Sequence, residues 1–295
     1  MGPHALRAQA KALAEIRDYL RQSAAVDFAS ADEFADALYE LIESAFDTTF
    51  QDAATAKAIK AVTKETYSFY RLRDETPFGE VGSPVVLKFG APDRRAIQFF
   101  DSVDRWYFSK FMRNDDAAKP LRKFLRAEYL EKGAALFGRE TPESLDDFRQ
   151  AAGEKLKNLT DPQIKRIVMG SVQRIRNWAH VGSLQQAKFD YAVYVAVIDK
   201  RTTEICRRID GVKFKVATAH QRITELSLLE PGEFAEQVYE STAAREYQKD
   251  PVAWIEKHIT DGVVDDAALE NNIGIPPLHI NCRTWIEGVF EELGE

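Results

Sequence analysis

Apolar residues recur at helical spacing through most of the first 190 positions. Phe34, Leu38, Leu41, Ile42, Ala45 and Phe46 fall on one face of a helix that Ser30 opens, with Glu33 at the capping-box position. Leu6, Leu13, Ile16 and Leu20 draw the same stripe on an earlier helix. Residues 76–92, rich in glycine and proline, break the pattern and read as a hinge with a short strand at Val85–Phe89. Helices resume with a dense set of aromatics: Phe99, Phe100, Trp106, Tyr107, Phe108 and Phe111. Their spacing reads first as a core face and second as a surface for a partner. Thr141 with Pro142 marks one more helix start. Thr160, Pro162 and Gln163 mark another, whose apolar face runs Ile164, Ile167, Val168, Ser171, Ile175, Trp178, Ala179 and Gly182.

The period then changes. "FDYAVYVAVID" is β-branched and aromatic and reads as a buried strand ending at Asp199, "DGVKFKV" as a turn with a second strand, and "TWIEGVF" as a closing strand. An acidic helical insert, residues 225–272, separates the last two, with Asp250 and Pro251 starting one of its helices. The expected fold is α+β. A mostly helical N-terminal region, 1–150, precedes a domain over 151–295 in which a long helix packs on a small sheet.

Composition narrows the classes. With 45% hydrophobic and 29% charged residues in 295, a packed core is expected and wholesale disorder is not. No apolar run approaches the length of a membrane span, the N-terminus has no signal-peptide core, and the chain reads as soluble with no membrane partner. Its net charge of −7 argues against a coat for nucleic acid, but the charge is unevenly distributed. Residues 155–215 carry 13 Lys and Arg against 5 Asp and Glu, and residues 225–272 carry 3 against 12. Lys165, Arg166, Arg174 and Arg176 are therefore candidate contacts to phosphate or an acidic partner, on an exposed face opposite Ile164, Ile167, Val168 and Ile175. The competing expectation is that the acidic insert folds over this face and neutralises it.

Both cysteines lie in short, distinctive peptides. Cys206 follows the first strand and Cys282 precedes the last, beside Pro276, Pro277 and His279. Three arrangements are open: buried thiols with His279 as a turn residue, a metal site of Cys206, His279 and Cys282, or a disulfide. Asp199, His220 or a distant side chain would have to supply a fourth metal ligand. Arg283 is placed to pair with Asp199 or Asp210. The prolines stiffen a loop that pins the last strand to the turn after the first. Neither a phosphate-binding glycine loop nor a nucleophile elbow occurs.

The order D-x-R-T-x-x-x-C-x-x-x-D-G, insert, P-P-x-H-x-x-C-R resembles the phage Mu F-like minor head proteins, also described as head morphogenesis proteins. The matching positions are Asp199, Arg201, Thr202, Cys206, Asp210 and Gly211, then Pro276, Pro277, His279, Cys282 and Arg283. The preceding helix, with Trp178 and Gly182, fits the same pattern. The resemblance covers about residues 160–290 and leaves the first 150 without counterpart. It implies a structural, non-enzymatic virion component at the capsid interior or portal vertex, formed in the host cytoplasm. Its implied partners are the portal, other phage head proteins and packaged DNA. Fuller members carry C-P-x-C and C-R-C, a plausible zinc set. Thr203 and Thr284 stand at the extra cysteine positions here, so no cofactor is expected. A Cys206–His279 hydrolase or a toxin-associated module is the alternative.

Overall fold

The computed structural model describes residues 2–22, 30–73, 88–110, 115–137, 142–271, 274–279 and 282–289. The architecture is α+β, predominantly helical with a five-stranded mixed sheet in the C-terminal part. Contacts group the chain into two compact units, residues 1–59 with 104–168, and residues 60–103 with 169–295. The boundary expected near residue 150 falls inside a 45-residue helix, Pro142–Gln186.

The first unit draws on α1 (Gly2–Gln22), α2 (Ala31–Gln51) and α5 (Asp115–Phe137). Ser30 Oγ accepts from the Glu33 amide at 3.1 Å, which supplies the expected N-cap. Phe34, Leu38, Ile42, Ala45, Phe46 and Phe50 bury the face of α2 that the sequence marks. Phe34 lies 4.8 Å from the Tyr129 ring, and Phe50 stacks on Phe108 at 4.9 Å. Trp106 and Tyr107 are half-buried, while Phe111 and Thr141 lie outside the described residues.

Thr160 and Pro162 do not start a helix, because α6 (Pro142–Gln186) runs through them. Thr160 is fully buried, and its hydroxyl accepts from Gln9 Nε2 at 2.5 Å instead of capping. Leu156 and Ile164 are buried on either side of it. The buried stripe Leu156, Thr160 and Ile164 offsets the interior proline, which disfavours a helix by about 3 kcal/mol.

The second unit holds the sheet, in the order β3-β4-β2-β1-β5. Strand β1 (Tyr191–Val195) pairs antiparallel with β2 (Lys213–Lys215) and with β5 (Trp285–Val289). It is not buried on both faces. Ala192 and Tyr194 are fully buried while Tyr191, Val193 and Val195 are half-buried, so helices cover one face. The apolar run also stops being strand at Val195, four residues before Asp199, and Ile198 is exposed. Asp210 explains the stop: its Oδ1 accepts from the Ala196 amide at 2.8 Å, taking the donor that would have continued the ladder.

Helix α6 lies against the buried face. Gly288 of β5 lets α6 approach closely, since a methyl there would lie 2.5 Å from Leu184 Cδ2. Phe99, on α4 (Ala91–Lys110), stacks on Trp178 at 5.2 Å and meets Phe234 edge-on at 5.0 Å. Beside them, Arg71 of α3 (Ala53–Arg73) pairs with Asp93 at 2.7 Å with both side chains 4% exposed. Ser183, Tyr67 and the Gly90 amide complete that buried network.

The insert is not wholly helical. After α7 (Glu204–Ile209) and α8 (Val216–Leu226), it carries α9 (Pro231–Ala235), a π-helical turn over Glu236–Glu240, α10 (Thr242–Lys249) and α11 (Pro251–Lys257). Asp250 Oδ1 caps α11 at the Ala253 amide, as the sequence implies. A hairpin then joins β3 (Ile259–Thr260) to β4 (Val263–Val264), ahead of α12 (Asp266–Glu270). Asp261 and Gly262 both have positive φ, 52° and 73°, the backbone a type I′ turn requires. Strand β4 adds to the sheet parallel to β2. The strand expected at Val85–Phe89 lies outside the described residues except for Lys88 and Phe89, which are exposed and not in a strand.

Candidate functional site: a two-loop clasp

The site grows out of the turn that leaves β1. Thr202 Oγ1 accepts from the Asp199 amide at 2.7 Å and donates to the Val197 carbonyl at 2.5 Å, locking that turn. Asp199 Oδ1 accepts from the Arg201 amide at 2.8 Å. Helix α7 follows and presents Cys206, and Gly211 at φ 78° returns the chain, its amide donating to the Tyr194 carbonyl at 2.9 Å. Only glycine takes that backbone without strain.

The second loop arrives ahead of β5. Pro276 and Pro277 are joined by a cis peptide bond, and the Pro276 carbonyl accepts from Asn177 Nδ2 of α6 at 3.2 Å. Tyr247 of α10 donates its hydroxyl to the Leu278 carbonyl at 2.5 Å. Burial, and then the Cys282–Cys206 pair beside it, hold that phenol well above its ordinary pKa, so it remains a donor.

The loops meet twice. Arg283 Nη1 and Nη2 donate to Asp199 Oδ2 and Oδ1 at 2.8 and 2.7 Å, a bidentate pair between positions 84 apart. Of the two carboxylates open to Arg283, Asp199 is the partner, while Asp210 ends β1. The Arg283 bonds, then the Arg201 amide, hold the Asp199 carboxyl well below the usual carboxylate range. At the second meeting point Cys206 Sγ lies 3.0 Å from His279 Nε2 and 3.9 Å from Cys282 Sγ, and Thr203 Oγ1 lies 2.9 Å from the same ring nitrogen. Both cysteines are buried and unbridged. The Cys282 thiol, then His279 and the hydroxyls of Thr203 and Thr284, lower the Cys206 pKa, while burial opposes them. Donating to Cys206 and being buried raise that of Cys282. The two sulfurs titrate as one coupled pair, with Cys206 the more acidic side.

The ligating atoms of Cys206, His279 and Cys282 lie within 4.8 Å of one another, close enough to share an ion. The set is one ligand short of a closed structural zinc site, which normally takes four from Cys, His and carboxylate. Thr203 and Thr284 offer hydroxyls, Asp199 is engaged by Arg283, and His220 lies in the field of Arg71 and Asp93. Among the described residues, no fourth such ligand joins the three.

The basic candidates divide. Lys165 and Arg166 are exposed. Arg174 and Arg176 are not, contrary to expectation. The Arg174 guanidinium sits 5.4 Å from the Phe234 ring centroid and donates to Tyr239 Oη at 2.7 Å. Arg176 lies over Tyr70 at 5.7 Å and over Trp285 at 5.4 Å. The insert covers Arg174 through the Phe234 ring and the Tyr239 hydroxyl. Arg201 is mostly exposed, 3.9 Å from Asp199.

Sequence reasoning did not find Asn177 or Tyr247, which hold the second loop by its backbone carbonyls. Side chains that recognise a carbonyl leave no residue pattern of their own. No family model matches the chain, and neither a curated protein nor a solved structure matches it significantly.

Proposed function

We propose that the chain is a phage minor head protein that acts near the portal in head morphogenesis, DNA packaging or ejection. The support is the use made of the motif. Asp199, Thr202, Cys206, Asp210 and Gly211 shape one loop, and Pro276, His279, Cys282 and Arg283 shape the other. The carrying observation is the bidentate Arg283–Asp199 pair, which spans the insert and binds the motif's ends into one clasp. A clasp that holds β5 in the sheet serves assembly, where a subunit must present a fixed surface to the portal and other head proteins. Under this reading the chain belongs in the virion and catalyses nothing. The test is to purify particles and isolated portal from a host producing them and to probe both for this chain. Recovery at low, fixed copy number is expected, and absence from both overturns the reading.

One contact favours a second reading. Cys206 Sγ and His279 Nε2 at 3.0 Å have the separation of a nucleophile and its base. A hydrolase would turn over generic esters and lose that activity in Cys206→Ala.

A further inference from the structure

We propose that Cys206 and Cys282 are a reversible dithiol–disulfide pair, closed by exchange with a low-molecular-weight disulfide. Three observations carry this. The sulfurs lie 3.9 Å apart, so a bond needs an approach of about 2 Å to reach the ordinary S–S length. The two positions also differ in access. Both cysteines are buried, at 4% and 3% exposed, but Cys206 is the one that lines a surface depression, with Arg201, Thr203, His279 and Arg283. Finally, the pair joins loops that Arg283 and Asp199 already hold together. The chemistry stands independently of the reading as a head protein.

The order of events follows from access. Cys206, the sulfur on the depression, loses its proton and attacks one sulfur of the incoming disulfide. That S–S bond breaks, one small thiol leaves as thiolate and takes a proton from water, and Cys206 becomes a mixed disulfide. Cys282 then loses its proton to solvent and attacks Cys206 Sγ, and the second small thiol departs. Two protein thiols are oxidised and one small disulfide is reduced to two thiols. The new bond links positions 76 apart and locks the turn after β1 to the loop before β5.

The experiment treats the reduced, full-length chain with oxidised glutathione and follows intact mass and peptide maps. The wild type should lose the mass of two hydrogens and yield one peptide pair linked through Cys206 and Cys282, restored by dithiothreitol. Cys282→Ser should stop with one glutathione on Cys206, and Cys206→Ser should react at least tenfold more slowly. If Cys282→Ser does not fold, the wild-type peptide map decides alone. A wild type that ends as a stable mixed disulfide, or an adduct on Cys282, overturns the proposal. So does a preparation that carries one zinc per chain and resists exchange until a chelator is added, because the sulfurs would then be metal ligands.

Discussion

Arg283 grips Asp199 with two parallel hydrogen bonds across 84 positions of chain, and the whole acidic insert lies between them. The carboxylate is the titrating partner. Its folded pKa is depressed, so its contribution is full above the unfolded value near 4 and fades as the pH falls below that toward the folded value. The stability gap between wild type and Asp199→Asn, measured by urea unfolding, should therefore be constant from pH 5 to 8, in round numbers, and narrow below about pH 4. A gap that widens in acid would mean that Asp199 is not held as an anion.

The buried Arg71–Asp93 pair should be far more sensitive. Removing one partner leaves a charge among Tyr67, Ser183 and the Gly90 amide with nothing to neutralise it. Asp93→Ala should cost about 3–5 kcal/mol. The double change Arg71→Met with Asp93→Leu should recover most of that, since well-packed apolar residues replace buried ion pairs at little cost. Denaturant midpoints at fixed m-value check both.

Gly288→Ala should destabilise by about 1–3 kcal/mol, because the added methyl meets Leu184 Cδ2 at 2.5 Å and the Phe189 ring at 2.7 Å. Gly232→Ala, where a methyl meets nothing within 4 Å, is the control and should be near neutral. Equal effects would mean that α6 does not lie against β5 at this point.

How much of this could be seen beforehand depended on the range of the interaction. The α2 stripe, the β2 and β5 strands and the Asp250 cap are local patterns and each is where the residues imply, while β1 is present but ends four residues before Asp199. The hairpin at Asp261–Gly262 was equally readable, since an Asp-Gly pair between Ile-Thr and Val-Val is a strong turn signal. It was absorbed into a helical reading of its acidic neighbourhood. Thr160 and Pro162 misled for the opposite reason: a well-formed local start signal is overridden by Gln9 and by burial on both sides. At the clasp, Cys206 and Cys282 flank strands of one sheet, which puts them and His279 within reach of one another. The choice of Asp199 over Asp210 turned on where β1 ends, which no periodicity encodes.

The basic segment should act on stability before it acts on DNA. Arg174→Ala and Arg176→Ala should each cost about 0.5–2 kcal/mol, from lost contact with Phe234 and Tyr239 or with Tyr70 and Trp285. Intact protein should show no tight binding to duplex DNA at low salt, given a net charge of −7. Fluorescence anisotropy against a labelled duplex decides it. Affinity that falls steeply with salt would assign Lys165 and Arg166 to phosphate.

Hydrogen exchange at the amides of β5, Trp285–Val289, tests the clasp most directly. The account predicts faster exchange there in Arg283→Ala and in Asp199→Ala, with α1 and α2 unaffected. It also predicts that the double variant exchanges no faster than either single one, because both remove the same contact. Unchanged protection of β5 in the single variants, or effects that add in the double, would contradict it.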